Sequence, residues 1–154
     1  MWLVRLMAKV SNFYRAHVFW RKVESALALH QRGEARADGL EILSAKTVLQ
    51  IEWLARAIHP WDRDLPPSAI ERRFAKQCLT DTDAALKRLF DEIPILDRVE
   101  IAVRRAPTRP PLIRGTVQRK HLNESRAESV GMRLRALGLG FRMSNLGLEE
   151  MESP

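Results

Sequence analysis

From its first residues the chain repeats apolar positions three and four apart: Leu3, Met7, Val10, Phe13, Tyr14, His17 or Val18, Trp20, Val23 and Leu27. This is the spacing of one helical face. Arg5, Lys9, Ser11, Asn12, Arg15, Arg21, Lys22 and Glu24 interleave with it, and Gly33 stops the run just after Arg32, a cation where the helix dipole favours one. The pattern predicts an amphipathic, cationic helical arm over 1–33. Residues 34–47, polar around Asp38 and Gly39, read as a connector.

The period then changes to two. Leu49, Ile51, Trp53, Ala55 and Ala57 alternate with Gln50, Glu52 and Arg56, which predicts a half-buried strand over 48–57. Val48, Ile51, Ala55 and Ile58 also fit a helical period, so a helix stays open there. Pro60, Pro66 and Pro67 make the stretch 59–67 a loop, because each removes a donor and restricts its predecessor. Ser68 followed by Glu71 matches a capping box, and Ile70, Phe74, Cys78, Ala85, Leu89 and Phe90 trace a helical face as far as Pro94. Thr80 and Asp83 repeat the cap pattern and offer a break.

Val99, Ile101 and Val103 alternate with Arg98, Glu100, Ala102 and Arg104. Across a turn containing Pro107, Pro110 and Pro111, Ile113, Gly115 and Val117 alternate with Arg114, Thr116 and Gln118. Together they predict a hairpin. Ser125 with Glu128 forms a second capping box, Ala127, Val130, Leu134 and Leu137 a second helix closed by Gly138, and Leu139, Phe141 and Met143 a last strand.

After the arm the order is therefore β-α-β-β-α-β. The fold class is α+β, a two-layer, ferredoxin-like or BON-like antiparallel sheet with both helices on one face. The α+β domain spans 48–145, and an acidic tail covers 146–154.

The second half is also similar to a known family. The helix over 83–92, the strand VEIAV, the returning LIRGTV with Gly115 and Val117, and the helix ESRAESVGMRLRAL resemble the BON domain over 83–145. That family is a small bacterial module associated with phospholipid membranes and envelope proteins. The resemblance implies a phospholipid-directed binding role, while Pro stands in the hairpin turn where BON domains usually carry Gly.

Charge sharpens the functional picture. The net charge of +7 is regional: residues 98–142 hold eleven Lys and Arg against three acids, and 34–97 hold nine against twelve. Regional positive charge steers anionic partners. On the hairpin the apolar side chains share one face, so Arg98, Arg104 and Arg114 point to the other, with Arg105, Arg109, Arg119 and Lys120 near its ends. Arg133 and Arg135 on the last helix add to the patch. Such residues neutralise phosphates, but the hairpin has no aromatic residue to stack on bases. The expectation is a non-catalytic module whose Arg-rich face engages nucleic acid or phospholipid headgroups.

Two other readings compete. His59, Asp62 and Asp64 place an imidazole and two carboxylates within six residues, a set that suits a divalent metal or a general base and makes a small hydrolase the alternative. The arm, with its Trp and Phe stripe, suits self-association as a homodimer or peripheral contact with a membrane interface. No phosphate-binding glycine loop, nucleophile elbow or zinc-protease motif occurs, and no cofactor is expected. Cys78 stands alone, so no disulfide can form within the chain. No apolar run is long enough to span a bilayer, and Arg5, Lys9 and Arg15 interrupt any secretory-type core, so a cytoplasmic location is expected.

Overall fold

A computed structural model describes residues 41–45, 48–123 and 129–152, together with the helical positions Arg21, Lys22 and Ser25. The rest of the expected arm and the capping box at Ser125 and Glu128 lie outside the described residues. Six strands are present among those described: β1 (Glu41–Ala45), β2 (Val48–Leu54), β3 (Arg98–Arg104), β4 (Pro111–Gln118), β5 (Leu139–Met143) and β6 (Leu148–Glu149). Two helices accompany them, α1 (Pro67–Glu92) and α2 (Val130–Ala136). The class is α+β.

The strands lie in space in chain order. β2 pairs with β3 in parallel, residue for residue from Val48↔Arg98 to Leu54↔Arg104, while every other pairing is antiparallel. The sheet is thus mixed, which corrects the antiparallel sheet expected. The cause is α1: its 26 residues run back along the sheet for about 39 Å, so that β3 restarts where β2 began. The ferredoxin-like arrangement fails for a second reason. The outer edge of β2 is taken by β1, which forms inside the stretch read as a connector. The last long strand instead pairs with β4, through Ile113↔Phe141, Arg114↔Gly140 and Gly115↔Leu139.

Local signals explain most element ends. β2 stops at Leu54, short of the expected 57. α1 is unbroken at Thr80 to Asp83, because the Thr82 hydroxyl donates to the Cys78 carbonyl one turn back and the buried Asp83 binds Arg133 and Lys87 instead of capping a helix start. Its start departs from the capping box: Pro66 is the N-cap, with no side-chain cap, and Glu71 binds Arg105 instead. α2 is capped by Ser129, whose hydroxyl accepts from the Met132 N–H at 3.2 Å. It ends at Gly138, φ +102°, the left-handed position that favours glycine. The described part of the tail read as 146–154, up to residue 152, is tied down: Leu148 is buried, and the Met151 N–H donates to the Pro111 carbonyl at 2.9 Å.

One face of the sheet carries the core. Leu49, Val99 and Val117 form a row across β2, β3 and β4; Ile51, Ile101, Gly115 and Leu139 form the next; Trp53, Val103, Ile113 and Phe141 the third. Phe74, Leu86, Leu89 and Phe90 of α1 and Leu134 of α2 close over them in a single cluster. Gly115 is the one gap in those rows, and the turn into β5 fills it: a Cβ there would lie 2.4 Å from the Gly138 carbonyl oxygen and 3.0 Å from Leu139 Cα. Backbone cannot yield as a side chain can. Gly115→Ala is therefore expected to cost about 1–3 kcal/mol in urea unfolding. Gly140→Ala, whose nearest contact is an ordinary 3.5 Å, should stay within about 0.5 kcal/mol. Equal effects at the two positions would refute this account of the close approach.

Candidate functional site

Because β-strand side chains alternate, the rows between the core rows all face the opposite side of the sheet. They read Val48, Arg98, Gln118; then Gln50, Glu100, Thr116; then Glu52, Ala102, Arg114, Gly140. This face forms an open concavity of about 420 Å³ lined by Gln50, Glu52, Glu100, Ala102, Arg114 and Thr116, with Arg104 at one side. The expectation that Arg98, Arg104 and Arg114 share the face opposite the apolar side chains matches this register.

What the arginines do there differs from one to the next. Arg104 is held by Glu52 and also donates to the Arg109 carbonyl at 2.6 Å. Arg105 lies on the helix side, bidentate to Glu71 at 2.5 and 3.1 Å and stacked over Phe74. The hydrogen bond from Arg105 holds the Glu71 carboxyl below its ordinary range against the opposing effect of burial. Arg109 reaches Glu150 of the tail at 3.6 Å. The tip of the hairpin is thus locally neutralised.

Two more cations serve as braces. Arg119 donates to the Ile93 and Leu96 carbonyls at 2.7 and 2.8 Å and covers Phe90, a cation set against the carbonyl end of α1. Arg135 covers Phe141 and donates to its carbonyl at 3.3 Å. Arg98 approaches Glu100 only at 3.9 Å. Of the nine cationic residues singled out from the sequence, Arg114 and Lys120 alone have no ion-pair or hydrogen-bond partner among the described residues.

Arg133 belongs to a different structure. It binds Asp83 through two bonds of 2.8 and 2.5 Å, and Lys87 adds a third at 2.9 Å, joining α2 to the middle of α1. Burial acting alone would push the Asp83 carboxyl up. The hydrogen bonds from Arg133 and Lys87 outweigh it and hold the group below its usual range. A small cavity of about 180 Å³ borders this triad, between the helices and Leu122.

His59, Asp62 and Asp64 do not assemble. His59 is exposed, and its Nδ1 accepts from the Trp61 N–H at 3.3 Å, capping the short 3-10 turn Pro60–Asp62. Asp62 pairs with Arg73 of α1, and Asp64 is exposed. Among the described residues no three His, Cys, Asp or Glu side chains are grouped to hold a metal ion, and no helix is long and apolar enough to cross a membrane. Cys78 is buried, and burial pushes its thiol up to about 12.

No family model, curated protein or solved structure matches the chain. The geometry therefore stands by itself. Sequence reasoning missed Gln50, Glu100, Ala102 and Gly140 as parts of the concave face. Their alternation was visible, but their meaning depends on cross-strand register.

The Asp83 cluster makes a prediction about pH. Its carboxyl is lower in the folded than in the unfolded chain, so its contribution is complete at neutral pH and is lost as pH falls through that depressed range, below about 4. Asp83→Asn should lower stability at pH 7 by about 2 kcal/mol and flatten the acid limb of the stability profile. A variant as stable as the parent at neutral pH and equally acid-sensitive would contradict this.

Proposed function

We propose that the chain is a non-catalytic binding module that engages an anionic partner through the polar face of its sheet, which no described helix or strand covers. Arg114 carries the reading. Its guanidinium is exposed near the centre of that face, and its cross-strand neighbours are Ala102 and Gly140, the two smallest side chains. No carboxylate stands opposite it, and space opens on both sides. Lys120 and Arg98, both exposed, lie towards the end of the same hairpin.

Phosphate is the natural counterpart, since a guanidinium presents paired donors in the geometry that phosphate oxygens accept. Nucleic acid and phospholipid headgroups both offer it, and the likeness of 83–145 to the BON domain favours the headgroup. A two-layer BON-like arrangement belongs to the same proposal. The metal or acid/base reading of His59, Asp62 and Asp64 draws no support from their separate engagements. Self-association through the arm concerns residues outside those described.

The test titrates the full chain with inorganic phosphate, a single-stranded oligonucleotide and phosphatidylglycerol vesicles. With Arg114 and Lys120 each neutralising one phosphate, oligonucleotide binding should weaken about sevenfold between about 50 and 200 mM salt. Ala102→Glu, which places a carboxylate directly opposite Arg114, should abolish phosphate binding without unfolding the domain, and Arg114→Ala should do the same. Absence of binding to all three probes at low salt, or binding indifferent to both variants, would overturn the proposal.

A further inference from the structure

The concavity is not simply positive. Glu52 and Arg104 cancel each other, but the ionised groups left on the face are of both signs. Glu100 is about one-third exposed. One of its oxygens accepts from the neutral Gln50 amide at 2.7 Å, and the nearest cation, Arg98, lies beyond hydrogen-bonding range at 3.9 Å. Arg114 has no carboxylate partner among the described residues. These two groups sit at opposite corners of a square on β3 and β4, whose other corners are Thr116, opposite Glu100, and Ala102, opposite Arg114.

Diagonal neighbours on an antiparallel pair lie about 7–8 Å apart at the backbone. That is close enough for one small molecule to touch both, and no ion pair within 4.0 Å joins them. A polyanion would suffer here: whatever Arg114 attracts, Glu100 repels. A ligand carrying both signs would not. From this square we infer that the face recognises a compact zwitterion with a phosphate at one end and an ammonium at the other. The phosphate lies against the Arg114 guanidinium and the Thr116 hydroxyl, and the ammonium against the Glu100 carboxylate. Ala102 supplies the room between them, since any larger side chain at that corner would fill the span. No bond is made or broken; the arrangement is charge complementarity at short range, where specificity comes from the unfavourable pairing offered to the wrong ligand.

The inference rests on the anion-binding role of Arg114 and adds the second, acidic half of the site. The chemistry has two sources, a free phosphodiester amine or the same group at a lipid surface. Glycerophosphoethanolamine in solution and phosphatidylethanolamine vesicles tell them apart.

The experiment is a set of calorimetric or NMR titrations of the full chain with glycerophosphoethanolamine, inorganic phosphate, ethanolamine and a single-stranded oligonucleotide, repeated for Glu100→Gln. The zwitterion is expected to bind at least several-fold more tightly than phosphate or ethanolamine. Glu100→Gln should remove that preference and leave phosphate binding equal or stronger. Retained folding is checked by circular dichroism, and Glu100→Asp, which keeps the charge, should preserve part of the preference. If phosphate or the oligonucleotide binds as tightly as the zwitterion, or Glu100→Gln leaves the ratio unchanged, the zwitterion inference falls while the anion-binding proposal survives. If the zwitterion fails to bind together with phosphate, the oligonucleotide and the phosphatidylglycerol vesicles, both fall.

Discussion

The parallel pairing of β2 with β3 governs the rest of the molecule. Seven consecutive residues of each strand are matched without a bulge, and side chains alternate with a period of two. A slip of one residue would send Leu49 and Ile51 to water and Gln50 and Glu52 into the core. The burial of Val99, Ile101 and Val103 beneath α1 therefore determines the opposite face as well. Glu100 and Ala102 stand where they do because their neighbours in the chain are needed inside. The polar concavity is a by-product of core packing in its position, though not in its composition.

Arginine has two distinct uses in this fold. At the hairpin tip and on the helices it bridges elements that are distant in the chain: Arg105 to Glu71, Arg119 to the end of α1, Arg133 to Asp83. Planar guanidinium groups suit these places because they combine bidentate bonding with stacking over Phe74, Phe90 and Phe141. Lysine would reproduce the charge and lose the geometry. Arg114 illustrates the other use, with small neighbours and an exposed head. A basic composition thus overstates the charge available to a partner.

The parts of the fold that were legible in the sequence are those written locally. The alternation of VEIAV and LIRGTV, the stop at Pro94 and the turn at Gly138 each act within a few residues, and α1, the β3–β4 hairpin and β5 follow from them. The order of the strands was not legible, because alternation says which face a residue takes and nothing about which strand lies beside it. β1 escaped notice for the same reason: Glu41 to Ala45 gains its strand character from pairing with β2. The arginine face was read correctly from parity at Arg98, Arg104 and Arg114. Which of them stays unpaired depends on Glu52, far away in the chain, and on the small size of Ala102 and Gly140. Small residues carry no signal until register gives them neighbours.

Cys78 has a practical bearing beyond its packing. Its thiol is buried within α1 and held far from the thiolate form at neutral pH, so alkylating reagents will pass over it while the domain is folded. The native sequence is in effect a cysteine-silent background. A single cysteine introduced on the concave face could carry a fluorophore or spin label without first removing the natural one, and labelling of Cys78 itself would report the moment the core opens.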